Sequence, residues 1–336
     1  MDVPDASLPP LSILDLALVS PGESVRAGLD ASVELARRAE KWGYRRIWYA
    51  EHHNMRAIAS SATSVLIGHV AAHTERITLG AGGIMLPNHS PLQVAEQFGT
   101  LAELFPGRIE LGLGRAPGTD QTTFRALRRD PGASETFPQD VQELQGFLGE
   151  HSLVPGVDAY PGKGTNVPLY VLGSSLYGAQ VAAILGLPYA FASHFAPEQL
   201  ERAVEMYREK FRPSAQLAEP LVLAGVNVVA ADDTATADEL MRLARLDRVK
   251  RFLSRGGHEL TDEEATLAID MPQGRQILDM MRYTAVGTPD AVEDYLTEFA
   301  ARVGIDELIV ASPVVDRAAW YRSFELLAGR AATVAA

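Results

Sequence analysis

Short β-type runs alternate with helical patterns along nearly the whole chain, and this rhythm limits the fold more than any other feature. "SILDLAL" (Ser12 to Leu18) reads as a first strand. Behind it Val25, Leu29, Val33, Leu35, Ala36 and Ala39 recur at helical spacing, with Ser24 as N-cap and Gly43 as the stop. "RRIWYAE", a helix over Ser60 to Thr74, "RITLGAG", a helix from Pro91 to Phe105 and "GRIELGLG" continue the pattern. After an irregular stretch come "PLYVLG", a helix over Tyr177 to Leu185, "PYAFAS", a helix over Pro197 to Phe211 and "PLVLAGVNVVA". A second irregular stretch precedes a helix from Pro289 to Val303, the strand "DELIVAS" and a last helix from Asp316 to Ala328. Parallel strands joined by helical crossovers form either an open doubly wound sheet or a closed barrel. Eight such units in 336 residues favour an α/β fold of the (β/α)₈ barrel type, one domain over residues 1 to 336. The irregular stretches, about 115 to 167 and 232 to 283, then become insertions after strands four and seven. One helix, near Gln139 to Gly149, is expected inside the first. Loops of that length are usually functional, and here they would frame the mouth of the barrel.

The formal net charge of −13 repels phosphate backbones and anionic lipid, so neither nucleic acid nor a membrane surface is an expected partner. The absence of cysteine removes disulfides, thiolate metal sites and a cysteine nucleophile. "MDVPDASLPP" has no basic start and no apolar core, unlike a signal peptide. The longest strongly apolar run, Leu221 to Ala231, is far short of the ~20 residues of a membrane span. A soluble cytoplasmic protein is expected.

Chemistry gathers at the predicted strand ends. "YAEHHN" places Glu51, His52 and His53 where the second strand stops. In an extended backbone His52 and His53 point to opposite faces, so both cannot grip one metal, and only one faces the mouth. His69 and His73 are spaced i, i+4, but "HVAAH" lacks the glutamate of a metalloprotease. No metal site is expected. Gly82 and Gly83 at the third strand's end permit close approach of a flat ligand. "GLGRAPG" lacks the spacing of a dinucleotide loop, and its Arg115 suits a clamp on a single phosphate. Ser174 and Ser175 precede a helix, as an anion site or as plain caps. None of the four lysines, Lys41, Lys163, Lys210 and Lys250, stands at a strand end, which argues against a Schiff-base aldolase.

Taken together, "IWYAEHHN", "ITLGAGGIMLPNHSPLQVAEQFGTLAELFPGRIELGLGRAPGTD", "LGSSLYGAQVAAILGLPYAFASHF" and "VGTPDAVEDYL" resemble the bacterial luciferase-like, flavin-dependent monooxygenases, over roughly Leu11 to Arg330. The resemblance implies reduced FMN (FMNH2) in the barrel mouth, reacting with O2 on a small organic substrate such as an aldehyde. It implies His52 as the acid/base, with Glu51 beside it. Gly82 and Gly83 would form a cis peptide against the flavin ring. Arg115, Ser174, Ser175, Leu176, Tyr177 and Gly178 would hold the phosphate, and His194 would also fall in the mouth. The luciferases carry a cysteine beside the arginine; here it is Gly114, which argues against light emission. The resemblance also implies a separate flavin reductase as partner and a homodimer, for which the helix Ser60 to Thr74 is a candidate face. Deazaflavin-dependent hydride transfer, or flavin binding without turnover, are the alternatives.

Overall fold

The structure is a computed structural model that describes residues 7 to 116, 119 to 254 and 260 to 334. Nine strands form one parallel sheet: β1 (Leu11–Asp15), β2 (Arg46–Tyr49), β3 (Thr78–Met85), β4 (Ile109–Gly114), β5 (Leu169–Gly173), β6 (Tyr189–Phe191), β7 (Val222–Ala230), β8 (Thr284–Gly287) and β9 (Glu307–Ala311). Strands β1 to β7 pair in chain order; β9 then bridges β7 and β1, which closes a barrel of eight. These eight are the predicted strands, with helices between them on the outside. β8 lies outside the ring, paired to the end of β7 from Asn227 to Ala230; it was not foreseen.

Local chemistry accounts for the helix boundaries. The first helix, Val25–Trp42, starts where the Ser24 hydroxyl accepts the Ala27 N–H. It stops at Gly43, whose φ of 84° suits a residue without Cβ. The first insertion holds the predicted helix as Phe137–Leu148 and a shorter one, Gln121–Ala126. The second insertion corrects the expectation of an irregular stretch: it contains Thr234–Leu253, Asp262–Ile269 and Pro272–Asp279. Its high charge belongs to the solvent face of a long helix, where Arg242 pairs with Glu239 and Arg251 with Asp247.

Residues alternate along each strand between two apolar clusters. Ile13, Ile47, Tyr49, Val171, Val226 and Val310 pack outward against the helices. Leu14, Trp48, Ala50, Tyr170, Ala190, Leu223 and Ile309 fill the interior of the barrel. The floor is polar: Arg46 reaches Glu110 (2.7 Å), Glu307 (2.9 Å) and the Tyr170 hydroxyl (2.6 Å). Burial favours the uncharged form of Arg46, but Glu110 and Glu307 outweigh it and fix the positive charge. That plug closes the bottom of the barrel, so the opening lies at the carboxyl ends of the strands.

Candidate functional site

The parity of β2 decides which of the adjacent polar residues enters the mouth. Arg46, Trp48 and Ala50 point inward, and the same period of two puts His52 inside, with Glu51 and His53 on the helix side. His52 Nδ1 is buried and has no protein partner. Burial lowers the His52 pKa, and His53 adds to this against the pull of Glu51, so the ring is neutral at neutral pH. Glu51 acts on the His52 ring through its charge, while its hydrogen bonds go elsewhere. Its buried carboxylate lies 2.8 Å from His53 Nε2 and 2.9 Å from His89 Nε2, and it accepts the Met85 N–H at 3.1 Å and Asn88 Nδ2 at 3.3 Å. Burial alone would raise its pKa; these partners overcome that and leave the carboxyl below its usual range. Glu51 thus ties the end of β2 to the loop after β3, and its acceptor positions are taken.

The peptide between Gly82 and Gly83 is cis. A Cβ on Gly82 would stand 2.8 Å from Trp48 Cβ, and one on Gly83 would stand 2.7 Å from the Gly112 carbonyl oxygen, so neither position has room for a side chain.

Arg115, just past β4, extends its guanidinium over the Tyr177 ring at 4.2 Å, while its Nε donates to the Ser134 carbonyl at 3.1 Å. That stacking brings the end of β4 against the start of the helix Leu176–Leu185, which follows β5. Ser175 stands at the N-cap without a side-chain cap bond, so the plain capping role is not the one its hydroxyl plays. Of the first-turn N–H groups, Leu176 donates to Gln199 Oε1 at 3.3 Å, while those of Tyr177 and Gly178 have no intrahelical acceptor. Ser174 is next along the inward face of β5 after Tyr170 and Leu172. The Arg115 cation thus stands against the start of the helix that Ser174 and Ser175 lead into.

His194 lies in the turn that follows β6. Its carbonyl accepts Asn227 Nδ2 at 2.7 Å, and its Nδ1 is buried without a partner. Room for the ring comes from Gly225, where a Cβ would lie 2.2 Å from His194 Nδ1. Burial, followed by the charges of Arg248 and His52, pushes the His194 pKa down to about 3, so it is a neutral imidazole. The first insertion leans over the same rim: Thr119 donates to the His53 carbonyl at 3.3 Å and Asn54 to Asp120 at 3.4 Å.

His52, His194, Arg115, Ser174, Ser175 and the Leu176–Gly178 turn thus stand at the carboxyl ends of the strands, with Gly82 and Gly83 beside Trp48. His69 and His73 are apart from them, on the outer helix Thr63–Ala71 and just beyond it, with rings 4.6 Å apart. No metal-holding group of His, Cys, Asp or Glu exists among the described residues. Sequence reasoning did not single out Asn227, Gly225 or Arg248. Only Arg248 leaves a local trace in the chain, in the helical spacing it shares with Ala237, Met241 and Ala244.

A family model described as luciferase-like monooxygenase matches residues 11–307. A luciferase-like monooxygenase of Escherichia coli is 46% identical over 94% of this chain and 95% of its own length. The N-acetyl-S-alkylcysteine monooxygenase of Bacillus subtilis is 32% identical over 94% of this chain and 96% of its own. The crystal structure of apo-MsnO8 superposes with a TM-score of 0.85 at 35% identity, covering 96% of this chain and 97% of that one.

Proposed function

The chain belongs to the luciferase-like monooxygenase family, and from that premise we propose that it is an FMN-dependent monooxygenase acting in the cytoplasm on a small organic molecule. The observation that carries this reading is the Arg115 guanidinium stacked on Tyr177 in the first turn of the helix that follows Ser174 and Ser175, at the same strand ends as two neutral histidines. A phosphate of FMN matches the first group in charge and size. The unpartnered Nδ1 atoms of His52 and His194 match the polar edge of a flavin ring.

When bound, reduced FMN supplies the electrons that activate O2 for transfer of one oxygen atom to the substrate. The protein's part is to hold, orient and keep dry. Arg115 and the helix start anchor the phosphate. His52, neutral at working pH, can hold or pass one proton at the ring edge. Glu51, held by His53 and His89, sets the course of the chain that carries His52 and acts as a positioning residue. The insertions cover the mouth and exclude water. Reduced FMN would come from a separate reductase, and the working unit would be a homodimer of single-domain barrels. Candidate substrates include aldehydes and thioethers of the kind named for the Bacillus relative.

Anaerobic titration with reduced FMN, and separately with oxidised deazaflavin F420, tests the reading, followed by O2 uptake with aldehyde and thioether panels. Saturable FMN binding with substrate-dependent O2 uptake is expected. Binding of F420 alone would replace the reading with hydride transfer; FMN binding without O2 uptake for any substrate would leave a flavin carrier.

A further inference from the structure

The helix Thr234–Leu253 turns a regular face toward the barrel. Ala237, Met241 and Ala244, at intervals of four and three, are all buried. The next position on that face, four residues on, is Arg248. A guanidinium therefore stands where the spacing calls for an apolar side chain. Its Nε is buried and has no partner. Its neighbour Asp247 is engaged by Arg251 at 2.6 Å. Among the described residues no carboxylate forms an ion pair with Arg248, and burial followed by repulsion from Arg251 lowers its pKa against the weaker pull of Asp247. A partly buried cation without an ion pair and with an unpartnered N–H destabilises a fold, and such a group is retained where an anion is to be received.

The position says which anion. Arg248 and His52 both act electrostatically on His194, whose ring lies against Gly225, so the three side chains are near one another beside β6 and β7. The proposed phosphate anchor lies at the ends of β4 and β5. Apolar rings stand beside the two groups: the Arg248 guanidinium lies 5.1 Å from the Phe252 ring centroid, and the His194 ring 5.0 Å from that of Phe195. Both phenylalanines are exposed. We propose that Arg248 binds the carboxylate of the substrate, whose class is therefore small organic acids with an apolar body that lies against Phe195 and Phe252. This rests on the monooxygenase reading, deepening it by a substrate class.

The test uses FMN-loaded and flavin-free protein in parallel. Benzoate, phenylacetate and N-acetylmethionine are titrated against thermal stability, each beside its uncharged amide, in the parent chain, Arg248→Met and Arg248→Lys. The acids should stabilise the parent at concentrations roughly tenfold or more below those of the amides. Arg248→Met should abolish the difference and Arg248→Lys should restore part of it, while the ratio of FMN to riboflavin affinity stays as in the parent. Equal effects of acids and amides in the parent, or a preference that survives in Arg248→Met, overturns the proposal. Loss of FMN-over-riboflavin preference in Arg248→Met overturns it too, by making Arg248 a phosphate ligand. Failure of the parent to bind FMN would strike the cofactor reading instead, and the flavin-free titration still reports on the carboxylate.

Discussion

Replacing Arg46 with methionine removes the cation at the barrel floor and leaves Glu110 and Glu307 facing each other. Arg46 and Glu307 side chains are 2% and 0% exposed, and the substitution breaks the interactions at 2.7, 2.9 and 2.6 Å with Glu110, Glu307 and Tyr170. Breaking a buried pair from one side costs about 3–5 kcal/mol. The lower end applies, because Trp48 Nε1 still reaches Glu110 at 3.0 Å, and Ser12 and Arg45 still reach Glu307 at 2.5 and 3.3 Å. At ~2–4 °C per kcal/mol for a chain above 150 residues, Tm should fall by roughly 6–12 °C at pH 8. The pH dependence has a definite sign. Burial, opposed by Arg46, already raises the Glu307 pKa, so removing Arg46 raises it further. A carboxyl whose folded pKa is raised stabilises the fold below its unfolded value and loses that contribution as pH rises through the folded value. The deficit of Arg46→Met should therefore be small near pH 5 and full at pH 8, and Glu307→Gln in the same chain should recover part of it. Scanning fluorimetry across that range reads both quantities, and FMN affinity at 20 °C should be unchanged because the floor and the mouth are at opposite ends of the strands. A Tm loss of under 2 °C at pH 8, or a deficit that shrinks as pH rises, would refute the electrostatic account of the floor.

The mouth gives two further expectations and the outer surface a third. His52→Ala should lower turnover by ~10²-fold or more while FMN still binds; because burial holds the His52 pKa below its ordinary value, parent turnover should be level above about pH 6.5 and fall only on acidification, and an unchanged mutant rate removes His52 from the chemistry. Arg115→Ala should weaken FMN at least tenfold and riboflavin less than twofold by fluorescence titration, the usual worth of a charge-assisted phosphate interaction, and equal losses would deny the phosphate role. Val65, 71% exposed on the helix Thr63–Ala71, would centre the proposed dimer face, so Val65→Asp should shift the mass measured by light scattering from dimer to monomer; a parent chain already monomeric excludes this face.

Much of the scaffold could be read from the chain itself. The eight barrel strands, the caps at Ser24 and Gly43 and the opposed faces of His52 and His53 follow from backbone stereochemistry, which acts between near neighbours; the glycine pair expected to end β3 lies within it, since the strand runs on to Met85. The charged stretch from Asp232 to Tyr283 misled because its helical stripe, Ala237–Met241–Ala244–Arg248, is weakly apolar and ends in a cation; its small side chains suffice only because the barrel is there to receive them. Glu51 shows the other limit. Adjacency in sequence paired it with His52, but the alternation of the strand turned it away, toward His89, 38 residues further along. The space at Gly225 for His194 and the stacking of Arg115 on Tyr177 likewise exist only between segments far apart in the chain. Periodicity fixes where a residue points from its own backbone; what it meets there is settled by closure of the barrel, which brings strand ends from all parts of the chain around one opening.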